Sequence, residues 1–310
     1  MYNRNFEDAM IYHDCIAGVT TYNPCIERLK SNISSIAEQV DKVVVVDNGS
    51  KNKQEIESIL KNYKNVVFID NKSNRGIAYA MNRIGNYAFE NSYNWFITLD
   101  QDSICPKDML DLYQRNTDEK IAIVVPNVVF NKHFISELLH IKSKTKENLE
   151  PHYVLYGISS GQMIRTSVWK KMEGFWNYLF IDYVDQEFCF HVTREGYKII
   201  RIPTVKLDHE PGIALKVLGI PTAKQSAMRE YYWSRNSRLI YWLYKEQYKN
   251  AIGRPPIVLT LKRIANSILV RESVIDKLKA IFYGIIDAYE WKSKYEKKGR
   301  FPTEITQRRY

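Results

Sequence analysis

Long hydrophobic runs are missing from this chain. The most apolar stretches, such as Ile121–Val125, are about five residues long, far short of the ~18–20 that a helix needs to cross a bilayer. The opening residues, MYNRNFEDAMIYHD, place acids at Glu7 and Asp8 and hold no apolar core, so no secretory signal is expected. Cysteine is scarce, with four in 310 residues, at 15, 25, 105 and 189, and no Cys-x-x-Cys pair. That pattern suits neither a zinc ribbon nor a disulfide scaffold and fits a reducing cytoplasm. No Gly-x-Gly-x-x-Gly follows the first strand-like run, and no Gly-x-x-x-x-Gly-Lys-Ser/Thr occurs. A dinucleotide-binding dehydrogenase and a P-loop NTPase are thereby disfavoured. Internal repeats and low-complexity tracts are absent too.

Charge is present but unevenly placed. Residues 1–220 carry 26 Lys and Arg against 27 Asp and Glu, whereas residues 221–310 carry 19 against 8. A neutral body with a basic C-terminal region leaves three partners open: nucleic acid, an anionic membrane and an anionic substrate.

The apolar pattern alternates between two periods. Cys15–Thr20, Val43–Asp47, Val66–Asp70, Trp95–Asp100 and Ile121–Val125 are short β-branched runs suited to buried parallel strands. Between the first two, Asn23 as N-cap and Pro24 at the first helical position predict a helix with its stripe at Ile26, Leu29, Ile33, Ile36 and Val40. Further helices are expected over about Gln54–Tyr63, Ile77–Phe89 and Lys107–Gln114. The alternation implies a mostly parallel sheet with helices on both faces. Residues 131–152 are polar and patternless, an expected surface excursion. A mixed region follows: strands near Ser160–Arg165 and Tyr197–Ile202, helices near Ser167–Lys171 and Gln186–Glu195. From Arg229 onward the pattern is helical and aromatic. A second helical stretch carries Leu261, Ile264, Ile268, Ile275, Leu278, Phe282, Ile285 and Tyr289 along one face.

Ligands of open parallel sheets bind at the carboxyl ends of the strands. Polar residues stand at four such ends here: Thr20–Asn23, Asp47–Ser50, Asp70-Asn71 and Asp100-Gln101-Asp102. Any one of them is most simply a turn; several on one sheet edge are better explained by a site. The Asp-x-Asp turn is suited to bridging a hard cation to a nucleotide diphosphate, because such ions are held by one or two carboxylates plus phosphate oxygens.

VTTYNP, VVVVDNGS, NRGIAYAMN, TLDQDS, SSGQMIR, FIDYVDQEFCF and KLDHEPG occur in this order. Together they resemble the family 2 glycosyltransferases, most closely the bacterial rhamnosyltransferase-like branch. The resemblance spans roughly residues 15–240, and its specificity lies in the ordered set. It implies an α/β fold of the GT-A type over residues 1–220, with a nucleotide-binding half at about 12–125 and an acceptor half at about 126–220. A basic, aromatic helical region, 221–310, follows.

The resemblance also assigns roles. Thr20 and Tyr22 would contact the pyrimidine base, and Asp47 would accept its imide N–H. Arg75 would face phosphate or ribose at the start of a helix. Asp100 would lie nearer the ribose and Asp102 would ligate Mg2+ or Mn2+ most directly, with His209 as a third ligand. Asp185 is the expected base, with Asp182 and Glu187 as rivals. Two departures stand out: Val184 replaces the usual preceding acid, and His191 replaces the usual Arg. Arg229, Tyr232 and Asn236 share one face of the later helix, with Tyr231, Arg235 and Arg238 on a neighbouring one. Related runs lie near the diphosphate, so Arg229, Tyr232 and Arg235 are candidate donor contacts; an amphipathic packing helix is the equal alternative.

The expected reaction is an inverting transfer of L-rhamnose from dTDP-L-rhamnose to a hydroxyl of a saccharide or lipid-linked acceptor in cell-surface polysaccharide synthesis. A UDP-hexose or UDP-aminosugar donor on the same fold is the first alternative. A catalytically dead scaffold and a non-catalytic nucleic-acid-binding protein are remoter ones; the basic region matches no nucleic-acid module, so no nucleic-acid partner is expected. A processive polymerase is disfavoured, since its Gln-x-x-Arg-Trp signature is missing. The expected location is the cytoplasm, peripheral on the inner face of the membrane. The Leu261–Tyr289 stripe, flanked by Lys262, Arg263, Arg271, Lys277 and Lys279 and followed by Trp291, Lys292 and Lys294, would touch anionic lipid. Packing of the same stripe on the body is the competing reading.

Overall fold

The structure is a computed structural model that describes residues 12–130, 149–209, 214–217, 220–223, 225–300 and 302. The N-terminal residues read for a secretory signal therefore fall largely outside the described residues, as do 131–148 and the 210–212 part of KLDHEPG.

The first half alternates as its β-branched and amphipathic runs require: β1 (Tyr12–Thr21), α1 (Ile26–Ala37), β2 (Val40–Asp47), α2 (Lys53–Leu60), β3 (Val66–Asp70), α3 (Ile77–Glu90), β4 (Trp95–Asp100), α4 (Met109–Gln114) and β5 (Ile121–Phe130). Then come β6 (His152–Val154), β7 (Gln162–Arg165), α5 (Thr166–Lys171), α6 (Val184–Arg194), β8 (Lys198–His209) and the hairpin β9 (Ala214–Val217) and β10 (Ile220–Ala223). Three long helices close the order: α7 (Ala227–Ile252), α8 (Pro256–Val270) and α9 (Val274–Tyr295).

One eight-stranded sheet runs β3-β2-β1-β4-β7-β5-β8-β6. Strands β3, β2, β1 and β4 are parallel; β7 then inserts antiparallel between β4 and β5. The period-two side chains explain the two cores. Ile16, Val44, Val46 and Phe96 join one cluster, and Cys15, Ala17, Val19, Val43, Val45 and Ile97 join the other, so each face of the sheet is covered. Helices α1, α2 and α4 cover the second face; α3, α5, α6 and α7 cover the first.

Two local expectations change. Asn23 is not the cap of α1: Cys25 holds that position, and Asn23 turns left-handed with Oδ1 accepting from Lys51 N at 2.8 Å. The 261–289 stretch is two helices, broken where Arg271 and Ser273 turn left-handed.

The C-terminal helices are built into the body. Leu239, Ile240 and Tyr244 of α7 and Ala288 and Trp291 of α9 belong to the same core as the sheet. Burying a large apolar side chain such as Trp291 contributes ~1.5–3 kcal/mol. Gly284 lets α9 approach α7, since a Cβ there would sit 2.4 Å from the Tyr231 carbonyl oxygen. What α9 turns inward is Ala280, Ile281, Gly284, Asp287, Ala288 and Trp291; the Leu261–Tyr289 stripe points outward, with Leu261, Ile268, Ile275, Phe282 and Tyr289 exposed.

Candidate active site

The carboxyl ends of β1, β2 and β4 meet because these strands are parallel and in register, with Thr20 paired to Val46 on one side and Asp100 on the other. A cavity of about 590 Å³ opens there. Thr20, Tyr22, Asn48, Asn74, Asp100, Gln101 and Asp102 line it from the first half; Ser159, Asp182, Tyr183, Asp185, His209 and Arg229 line it from the second. Tyr22 is half exposed at this edge, and its N–H donates to Gln101 Oε1 at 2.8 Å.

The Asp-x-Asp turn is held from behind by α1. Asn32, fully buried, donates to the carbonyl oxygens of Asp100 (2.9 Å) and Ser103 (2.5 Å). Arg28 Nε donates to Asp102 O at 2.6 Å. Both residues lie in the predicted helix, but only the fold reveals what they grip. Burial pushes the Asp100 carboxyl up to about 6; the charges of Asp102 and Asp185 add to this, while His209 and Arg229 oppose it.

The three residues of the expected metal set, Asp100, Asp102 and His209, all line the cavity. Among the described residues no group of three or more His, Cys, Asp or Glu side chains is arranged to hold a metal ion. His209 Nδ1 lies 3.2 Å from Asp102 Oδ1 and 3.0 Å from Ser103 Oγ, and its Nε2 is 4.0 Å from Asp100 Oδ2. The imidazole is thus a partner of the turn. Burial works against its protonation, yet contact with Asp102 and the charge of Asp100 leave its pKa raised. A two-carboxylate site does fit a hard cation whose remaining ligands come from a diphosphate. Asp102 Oδ1 is buried at the cavity edge, with the His209 ring as its neighbour at 3.2 Å.

Asp185 sits in the first turn of α6, facing the cavity. Its Oδ2 accepts from Ser159 N at 3.1 Å and its Oδ1 from Gln186 N at 2.8 Å. Burial raises its pKa, and these two N–H donors offset part of the rise. Its rivals are each paired with a cation or a hydroxyl. Asp182 accepts from Arg229 Nη2 at 2.8 Å and Nε at 3.4 Å. Glu187 is fully buried, with Tyr244 Oη at 2.8 Å and Arg300 Nε at 3.2 Å. Where the family resemblance expects Arg, His191 stands, yet a guanidinium still arrives: Arg300 Nη1 lies 2.9 Å from His191 Nδ1. Burial and the charge of Arg300 push His191 down to about 3, which keeps the ring neutral beside it. Val184 is buried in the core.

Four other expected contacts lie outside the cavity lining. Asp47 is fully buried: Oδ1 accepts from Thr21 Oγ1 (3.0 Å) and Ser50 Oγ (2.5 Å), Oδ2 from Gly49 N (3.1 Å) and Ser50 N (2.8 Å). Its neighbour Asn48 is among the residues lining the cavity; it is buried too, its Nδ2 donating to Gly76 O at 3.0 Å and its Oδ1 accepting from Asn71 Nδ2 at 3.0 Å. Arg75 is exposed outside the cavity lining, its guanidinium 3.7 Å from the centroid of Tyr79. Tyr232 is buried and stacked on Phe180 at 4.6 Å and 7°. Arg235 is buried against the rings of Tyr178, Tyr231 and Tyr232 and donates to Tyr178 O. Of the three α7 candidates, Arg229 reaches the cavity. The period of that helix was right; which arginine faced the cleft depended on tertiary packing.

Residues 17–172 match the profile of glycosyl transferase family 2. Over 267 residues the chain is 30% identical to the dTDP-rhamnosyl transferase RfbF of Shigella flexneri, covering 82% of this chain and 85% of that one. Among solved structures, residues 1–349 of S. aureus TarS in complex with UDP-GlcNAc align with a TM-score of 0.53 at 14% identity, over 93% of each chain. GalNAc-T7 with UDP, GalNAc and Mn2+ aligns with a TM-score of 0.54 at 13% identity, over 93% of this chain; the present chain spans 59% of that protein. At these identities the solved structures speak for the fold.

Proposed function

The chain belongs to glycosyl transferase family 2, with a GT-A-like fold, and from that premise we propose that it moves L-rhamnose from dTDP-L-rhamnose to an acceptor hydroxyl with inversion. One observation carries the chemistry: Asp185 and the Asp100–Asp102 turn, from opposite halves of the chain, line one cavity. The relative named as a dTDP-rhamnosyl transferase supports the donor.

Asp185 removes the proton of the acceptor hydroxyl as its oxygen bonds to the anomeric carbon. The bond from that carbon to the diphosphate oxygen breaks, and its electron pair leaves with the nucleoside diphosphate. A single displacement from the opposite face inverts the centre. Thr20 and Tyr22 flank the base. Arg229, oriented by Asp182, presents positive charge to the diphosphate. A divalent cation, Mg2+ or Mn2+, held by Asp100 and Asp102 together with diphosphate oxygens, would neutralise charge on the leaving group.

What supports a lipid-linked acceptor is the outward stripe of α8 and α9. Leu261, Ile268, Ile275, Phe282 and Tyr289 are exposed, and so are the neighbouring Lys262, Arg271 and Lys279. An interfacial surface combines these features. Three members of the expected set are turned inward: Lys277 and Trp291 are buried, and Arg263 Nε lies 3.1 Å from Glu230. No helix among the described residues is long and apolar enough to cross a membrane. Trp233 links this side to the cavity, 6.1 Å from Tyr183 and under the Arg263 guanidinium at 4.5 Å.

A thermal-shift screen of nucleotide sugars with Mg2+ or Mn2+ tests the donor. The largest rise is expected for dTDP-L-rhamnose, reduced by EDTA. Stabilisation by a UDP-hexose with none by dTDP-L-rhamnose would overturn the donor and leave the fold in place.

A further inference from the structure

We infer that Asn236 is a positioning residue for the transfer reaction, holding the loop that delivers Asp185 to the acceptor; the inference rests on the reading of Asp185 as the base. The loop is unusual. Phe180, Asp182 and Tyr183 have φ of 64°, 62° and 66°, and none is glycine. Left-handed backbone is disfavoured for residues with a Cβ and persists where the surroundings over-determine it. Tyr183 is the cap of α6, and Asp185 is the second residue of that helix.

Asn236 supplies much of that determination. It is fully buried on α7, and its Nδ2 lies 2.8 Å from the carbonyl oxygen of Leu179 and 2.9 Å from those of Ile181 and Asp182. Two amide protons thus serve three carbonyls in one turn of chain. Its Oδ1 accepts from Arg235 Nε at 3.0 Å, which fixes the orientation of the amide. The same face of α7 holds the loop at two more points, through Arg229 on the Asp182 carboxylate and Tyr232 on the Phe180 ring. From the opposite side Ile77 N, at the start of α3, donates to Phe180 O at 2.7 Å. Gly76 permits that approach, because a Cβ there would lie 2.6 Å from the same oxygen. Asn236 does not line the cavity, so any effect on turnover passes through the loop. Small displacements of a reacting group, near 1 Å, are enough to lower rates by about 100-fold.

The test compares Asn236→Ala and Asn236→Ser with Leu239→Ala, a core truncation on the same helix that leaves the loop contacts intact. Turnover is read as dTDP released from dTDP-L-rhamnose, well below each variant's unfolding temperature, and donor affinity by titration with dTDP. For Asn236→Ala, kcat should fall on the order of 10–100-fold while dTDP affinity changes by less than about twofold. Leu239→Ala should lose thermal stability and keep kcat within about threefold. If Asn236→Ala does not fold, Asn236→Ser, with one hydroxyl donor left for the carbonyls, carries the same expectation. Near wild-type kcat in the folded Asn236 variant, or a loss matched by Leu239→Ala, overturns the inference. Asp185→Asn separates it from the reading beneath: an inactive Asp185→Asn beside an active Asn236→Ala refutes the positioning role alone, whereas an active Asp185→Asn removes the base assignment and this inference with it.

Discussion

Asp185 and Glu187 stand two residues apart on α6, and the first faces the cavity while the second is fully buried against Tyr244 and Arg300. Two residues turn a helix by about 200°, so one carboxylate is given to the cavity and the other to the core. Asp185→Asn should therefore lower kcat by about 10²–10⁴-fold with little change in donor affinity. Glu187→Gln should act on stability, because removing one partner of a buried charge pair costs about 3–5 kcal/mol. Chemical denaturation and steady-state kinetics on the two variants check the division. A Glu187→Gln enzyme that is stable but inactive would reverse the assignment.

The raised pKa of Asp185 acts on activity and on stability in opposite directions. Activity needs the ionised form, so kcat should fall with acidification at a pH above the usual range for a carboxylate. Stability runs the other way. A carboxyl whose folded pKa is raised contributes fully below its unfolded pKa and loses that contribution as pH rises through the folded value. Asp185→Asn should accordingly melt higher than wild type at pH 8, with the difference closing towards pH 4. Melting curves across this range decide it; an equal gap at both ends would contradict the burial argument.

Asp47 organises the loop after β2 without touching the cavity. Asp47→Ala removes the acceptor for Thr21 Oγ1, Ser50 Oγ and two backbone N–H groups. Each buried donor left without a partner costs about 1–3 kcal/mol, so a clear drop in unfolding free energy is expected. If the variant keeps wild-type stability and loses only donor affinity, Asp47 meets the base after all.

The outward stripe can be broken without entering the core. Leu261→Glu with Phe282→Glu should reduce cosedimentation with anionic vesicles and leave the release of dTDP in solution unchanged. Added salt should weaken wild-type binding, since each basic group near an anionic surface is worth ~1 kcal/mol and is screened within a Debye length. Binding that ignores both lipid charge and salt would leave the stripe without an electrostatic role.

The parallel half of the sheet was legible because strand and helix periods are local. β2, β3 and β4 carry β-branched or aromatic runs, and the Asp-x-Asp turn follows β4 directly. What sequence could not show was long-range. The insertion of β7 between β4 and β5 depends on pairing of Gln162–Arg165 with residues more than sixty positions away. Asp47 and Asn48 are adjacent and both buried, and a helix or strand period cannot say which of the two will line a cavity. Arg229 and Arg235 were equally plausible as donor contacts, because both lie on one helix whose surroundings were unknown. The aromatic cage of Tyr178, Tyr231 and Tyr232 took Arg235 into the core.

Arg300 binds the carbonyl oxygens of Met172 and Gly174 and lies against Glu187, while Pro302 O accepts from Trp176 Nε1 at 2.8 Å. This arrangement sets an order in time. A growing chain makes α6 long before it makes residue 300. At roughly 5–20 residues per second, Glu187 waits on the order of ten seconds for the guanidinium that neutralises it. Until then the helix bearing Asp185 carries on its inward side an acid that lacks its guanidinium partner. The parallel half of the sheet can fold as it emerges, but the packing around α6 is completed only after residue 300 has been made.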